Sequence, residues 1–166
     1  MSEIMCIEGT ALTVRPIAIT DAAGLERLFT RLSPASVYSR FFSPMARPPR
    51  AALLRLADVD HGRRDALVAL DGDEIVGVAR YDARPGSTEA EIALTIEDAW
   101  QRRGLGSQLA RRLGKVARAR GYERFVATML PDNRAALGLI HKVSPDATVR
   151  FVAGEYEASV PLGRAS

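Results

Sequence analysis

The chain has 166 residues, 47% of them apolar, and a formal charge of +3 from 23 basic and 20 acidic side chains. That length suits one domain with one core, and a lone cysteine, Cys6, excludes an internal disulfide. No run approaches the roughly 18 apolar residues of a membrane span, and the first twenty residues, with Glu3 and Glu8, lack the apolar stretch of a secretory signal. A cytoplasmic protein without membrane contact is therefore expected.

Residues 1–11 show no strong periodicity and read as an N-terminal tail, with one domain over 12–163. Leu12, Val14, Ile17 and Ile19 mark a short opening strand. Thr20 and Asp21 can cap a helix that carries Leu25, Leu28, Phe29 and Leu32 at helical spacing. Ser33-Pro34 offers a second helix start, with Val37, Tyr38, Phe41 and Phe42 as its stripe. After Pro48-Pro49, a short helical stretch puts Leu53, Leu54 and Ala57 on one face. Runs 66–70 and 74–81 flank Asp71-Gly72-Asp73 as a hairpin. Over 89–96, Ala90, Ile92, Leu94 and Ile96 alternate with Glu89, Glu91, Ala93 and Thr95, the period of a strand.

A helix follows over about 104–120, with Leu105, Leu109, Leu113 and Val116 inward and Gly121 placed to end it. Next come a strand over 124–130 and a helix over 133–143 bearing Ala136, Leu137, Ile140 and Val143. Pro145 blocks that helix, and runs 148–152 and 155–160 around Gly154 close the chain as a hairpin. The sum is an α/β (α+β) fold: one mixed, mostly antiparallel sheet with helices on both faces.

Chemistry concentrates between Glu91 and Ser107. A strand feeds a turn containing Gly104 and Gly106, and a long helix begins there, with Arg102 and Arg103 just before it. Glycines let an anion approach backbone N–H groups, and the first turn of a helix leaves those groups unpaired and carries partial positive charge. The turn suits phosphate. No Gly-x-x-x-x-Gly-Lys-Ser/Thr occurs, and Gly104-Leu105-Gly106 lacks the third glycine of the dinucleotide fingerprint, so neither nucleotide hydrolysis nor Rossmann chemistry is indicated. One Cys and two His without recurrent spacing point to no metal.

The run Gln101-Arg102-Arg103-Gly104-Leu105-Gly106, set between strand and helix, resembles the acetyl-CoA signature Gln/Arg-x-x-Gly-x-Gly/Ala of the GNAT superfamily of N-acetyltransferases. The likeness extends from Thr13 to about Leu162 and includes Asn133-x-x-Ala136, similar to the family's second cofactor segment. Residues 32–42 further resemble the acetyltransferase domain of bacterial protein-lysine acetyltransferases. The resemblance implies acetyl-CoA as acetyl donor and a primary amine, with protein lysine among the candidates, as acceptor. It implies that Gln101, Arg102, Arg103, Gly104, Leu105, Gly106 and Ser107 cradle the pyrophosphate. Leu94, Thr95 and Ile96 would pair with the pantetheine arm, Asn133 would touch the cofactor, and Glu91 would serve as general base.

Chemistry supports a base at Glu91 independently. An amine attacks a thioester only in its neutral form, so an ammonium must first lose a proton, and partial burial would suit a carboxylate to that task. Alternatively, Glu89 and Glu91 both occupy a solvated strand face. The family's tyrosine, the acid for the leaving thiolate, has no counterpart in Gly138–Pro145. This leaves water, Tyr38, Tyr122 or Tyr156 to be tested, and it keeps open a non-catalytic acetyl-CoA sensor. Of the 23 basic residues 21 are arginine, which raises a nucleic-acid-binding alternative. Interspersed acidic residues and the lack of long basic runs count against it, so no nucleic-acid partner is expected. Strand edges leave a homodimer open.

Overall fold

The computed structural model describes residues 1–36 and 48–163. The strands are β1 (Glu3–Ile7), β2 (Thr10–Pro16), β3 (Arg64–Asp71), β4 (Glu74–Asp82), β5 (Glu89–Ile96), β6 (Arg124–Met129), β7 (Thr148–Val152) and β8 (Glu155–Pro161). The helices are α1 (Ala22–Arg31), α2 (Arg50–Ala57), α3 (Leu105–Ala119) and α4 (Arg134–Val143). All eight strands form one sheet in the order β1-β2-β3-β4-β5-β6-β8-β7. Every neighbouring pair is antiparallel except β5 and β6, which are parallel and joined by the crossover helix α3. The stripe assigned to Val37, Tyr38, Phe41 and Phe42 lies outside the described residues. Its start is inside them, where the Ser36 N–H donates to Ser33 Oγ at 3.2 Å, as a capping serine does.

Each face of the sheet has its own core. α1 and α2 set Leu25, Leu28, Phe29, Leu53 and Ala57 on Ile17, Ala66, Val68, Ile75 and Val78. Leu54 departs from the expected stripe and is exposed. On the opposite face α3 buries Leu105, Leu109, Leu113 and Ala117, four-residue spacing that displaces Val116 to the helix flank. Gly77 on β4 lets α3 sit this close, because a Cβ there would stand 3.1 Å from Leu105, Leu109 and Ile96 side-chain atoms. Replacing Leu109 with Ala would cost about 2–5 kcal/mol by leaving a cavity at that contact.

The N-terminal tail becomes a strand here. Residues 3–7 pair with β2 in the register Glu3↔Val14 to Ile7↔Thr10, and Met5 and Ile7 are buried in the α3-side core. Glu8 and Gly9, both at positive φ, make the two-residue turn. A five-residue strand with apolar Ile4 and Cys6 on its outer face shows no polar alternation, which hides it in sequence.

A polar cluster ties α3 to the β3–β4 hairpin. The fully buried Tyr81 donates its hydroxyl to the Gly62 carbonyl at 2.7 Å and accepts from Arg120 Nη1 at 2.9 Å. Arg120 also ion-pairs with buried Asp65, whose other oxygen lies 2.8 Å from His61 Nδ1. Burial pushes the Tyr81 hydroxyl's pKa upward, with Arg120 opposing the shift. His61 thus serves this cluster.

Candidate active site

β5 and β6 pair over only three positions, Glu89↔Arg124, Ala90↔Phe125 and Glu91↔Val126. Beyond Glu91 the two strands diverge. β5 continues to Ile96 against β4 alone, so its other edge has no strand partner beyond Glu91, and Ile92, Ala93 and Leu94 border a cleft. The cleft holds about 390 Å³ and is walled by Glu91–Leu94, by Ala127–Met129 of β6, by Ala110 and Arg111 of α3, and by Ala136, Leu139 and Ile140 of α4 with Asn133 just before it. That volume lies within the roughly 300–1,000 Å³ of small-molecule sites. An open strand edge offers alternating N–H and C=O groups to an extended ligand arm.

At the far end of β5, a 3₁₀ turn (Asp98–Trp100) leads into the loop 101–104 and then α3. Gly104 precedes the helix with φ +90° and open space where a Cβ would be. It needs glycine for its conformation and leaves room beside the first-turn N–H groups of Leu105, Gly106 and Ser107, which have no acceptor four residues back. Arg102 also has positive φ, and its exposed side chain has no hydrogen bond or ion pair to the described residues.

Arg103 is engaged elsewhere. Its Nε donates to Glu8 Oε2 at 2.7 Å, its Nη1 to the Ala99 carbonyl at 3.3 Å, and its guanidinium stacks 4.3 Å over the Trp100 ring. These contacts tether the Arg103 side chain to the β1–β2 turn. Gln101 Nε2 donates to the Ile96 carbonyl at 2.9 Å and to Ser36 Oγ at 3.1 Å, fixing the loop to the end of β5. Ser107 is buried and turns its hydroxyl back to the Gly104 carbonyl at 3.1 Å. Gly106 faces α4, where a Cβ would come 2.8 Å from Leu139 Cδ1. It therefore allows two helices to approach, a different need from that of Gly104. Asp98 supports the loop by accepting the Ser33 N–H at 3.0 Å. Burial raises its pKa, but that bond and hydroxyls of Ser33 and Ser36 outweigh it and hold the carboxyl below its ordinary range.

The carboxylates of β5 separate by position. Glu91 stands at the vertex of the fork, exposed rather than partly buried, with no hydrogen bond or ion pair among the described residues. Glu89, two pairs further from the opening, lies 3.8 Å from Arg124. Leu94 borders the cleft, whereas Thr95 is buried beside Leu25 and Phe29 of α1. Asn133 lines the cleft and caps α4, its Oδ1 accepting the Ala136 N–H at 3.2 Å. Tyr122 and Tyr156 do not line the cleft; they stack on Tyr81 and Phe151. Tyr38 is outside the described residues. Thr128 and Ser144 supply the cleft's hydroxyls, and no sequence signal marks them. Among the described residues, no group of three or more His, Cys, Asp or Glu could hold a metal, and no helix is long and apolar enough to cross a membrane.

A family model described as "Acetyltransferase (GNAT) family" matches residues 27–144. An acetyltransferase of Pseudomonas aeruginosa is 32% identical over 155 residues, covering 87% of this chain and 83% of that protein. The acetyltransferase Pat of Mycolicibacterium smegmatis is 34% identical over 126 residues, covering 74% of this chain but 37% of Pat. The chain thus spans just over a third of that relative's length. The crystal structure of the GNAT domain of S. lividans PAT superposes with a TM-score of 0.90 at 30% identity, over 96% of both chains.

Proposed function

We propose, from the premise that the chain belongs to the acetyltransferase (GNAT) family and takes acetyl from acetyl-CoA, that its acceptor is the side-chain amine of a protein lysine. The observation that carries this reading is the fork: a free strand edge leading to a carboxylate, Glu91, exposed at its vertex and without a partner among the described residues. An exposed carboxylate can meet an amine presented from a partner's surface. The sequence likeness of residues 32–42 to bacterial protein-lysine acetyltransferases and the fold match to S. lividans PAT point the same way.

Each residue has a task in this reading. The first-turn N–H groups after Gly104, with Arg102, hold the pyrophosphate. Backbone groups of Leu94, Thr95 and Ile96 pair with the pantetheine arm and orient the thioester carbonyl. Glu91 takes the ammonium proton, directly or through water, so that the neutral nitrogen can attack. Water protonates the departing thiolate. Most of the acceleration then comes from holding two reactants in line.

The test is a thiol-release assay with acetyl-CoA across lysine peptides, polyamines, free amino acids and aminoglycosides, with products identified by mass spectrometry. Nε-acetylated lysine peptides are expected. Turnover of a small amine with no peptide turnover would overturn the acceptor, and binding without turnover on any amine would favour a sensor.

A further inference from the structure

The cleft does not stop where β5 and β6 join. It continues beneath α3, where its lining passes to Gly114, Phe125, Val160 and Leu162. Phe125 is paired with Ala90 on one side and Val160 on the other, so this inner chamber lies past the fork's vertex, on the α3 face. Its inner walls are buried, with Ala110, Phe125 and Val160 7%, 3% and 9% exposed, whereas Lys115 and Pro161 at its rim are exposed. Gly114, in mid-helix, is a poor helix former. A Cβ added there would stand 3.4 Å from Leu162 Cδ2 and 3.9 Å from Phe125 Cε2, so any larger side chain would enter the chamber.

Apolar voids are unfavourable unless filled. No buried side-chain polar atom among the described residues lacks a partner. A cavity of about 150 Å³ already holds benzene; the whole cleft, which the pantetheine arm would share, holds about 390 Å³. It is continuous with the edge of β5 along which the thioester would lie.

We infer that the inner chamber receives the aliphatic chain of acyl-CoA donors longer than acetyl, making butyryl and similar acyl groups substrates and Gly114 the residue that sets the chain-length limit. The inference rests on the amine-acylation reading. The step is unchanged: the amine nitrogen bonds to the thioester carbonyl carbon, the C–S bond breaks, and CoA leaves with the sulfur's electron pair. The ammonium proton passes to Glu91 or water, and the thiolate takes a proton to become free CoA thiol.

The experiment compares acetyl-, propionyl-, butyryl- and hexanoyl-CoA on one lysine peptide, with thermal stabilisation by each donor as a readout independent of turnover. Binding should strengthen by about fourfold per added methylene up to butyryl. Gly114→Val should cut the butyryl-to-acetyl ratio of kcat/KM at least about tenfold. Gly114→Ala, whose Cβ meets only ordinary contacts, should cut it less and carries the same test if the valine variant does not fold. The inference is overturned if butyryl-CoA is neither used nor more stabilising than acetyl-CoA, or if Gly114→Val lowers both donors equally. No transfer from any donor, with chain-length-dependent stabilisation kept, would sink the proposed function and support the chamber.

Discussion

The two halves of the sheet are built to different standards. In β3 five consecutive residues are buried and in β4 seven, with helices on both faces, whereas in β7 none is buried. α4 buries Ile140 alone. Between these halves stand three residue pairs of β5 with β6, together with α3. Segments with few buried apolar contacts open at lower free energy than core strands. The β2–β5 half is thus a rigid reference, and the β6–β8–β7 half with α4 is the part a ligand entering the fork can order.

The most direct way to break this comparison is at the vertex. Glu91→Gln should lower kcat/KM by about 10²–10⁴-fold with little change in cofactor affinity, and the loss should shrink as pH rises and the amine becomes neutral unaided. Glu89→Gln, beside Arg124 and away from the opening, should change little. Matching pH-rate profiles for the two variants would remove the base from Glu91 and make the vertex no different from the strand behind it.

A ligand sharpens the contrast. At a concentration about one hundred times its Kd, acetyl-CoA should add about 2.7 kcal/mol of stability, a rise in Tm of about 5–10 °C for this size. Hydrogen exchange should slow in α4 and β8 far more than in β3 and β4. Equal stabilisation by pantetheine lacking the pyrophosphate would contradict the role given to Gln101–Ser107.

The smallest effect tests the rigid half. Burial raises the Asp21 carboxyl's pKa, but Arg15, paired at 2.8 Å, and the Ala18 N–H outweigh it and hold it below 3.8. A lowered native pKa contributes stability that is present above the ordinary value and lost as pH falls through the native one. Wild type should therefore lose more Tm than Asp21→Asn on acidification from pH 5 to pH 2. Superimposable acid curves would show that Asp21 adds nothing to the α1 junction.

How far sequence reaches follows the same division. The alternation over 89–96 marks β5 to the residue, and Asp71-Gly72-Asp73 and Gly154 mark hairpins, because period and turn chemistry are local. The strand at 3–7 escaped because its outward residues are also apolar. The destination of Arg103 depends on Glu8, ninety-five residues away, and the Asp65–Tyr81–Arg120 cluster joins positions that no local pattern relates. Glu91 and Glu89 look equivalent in sequence. Only the divergence of β6 makes one of them face the cleft.

The sheet's order has a consequence for synthesis on the ribosome. Strands β1 to β6 take their places in chain order, but β8 inserts between β6 and β7, and with the residue after it supplies Val160, Pro161 and Leu162 to the cleft. Since translated chains fold from the N-terminal side as they emerge, the β1–β5 meander can assemble while the cleft still lacks a wall. A nascent chain stalled before Glu155 would present a formed Glu91 strand and phosphate loop without a complete chamber. CoA-dependent protection from protease in such stalled chains would mark the codon at which the ligand site comes into being.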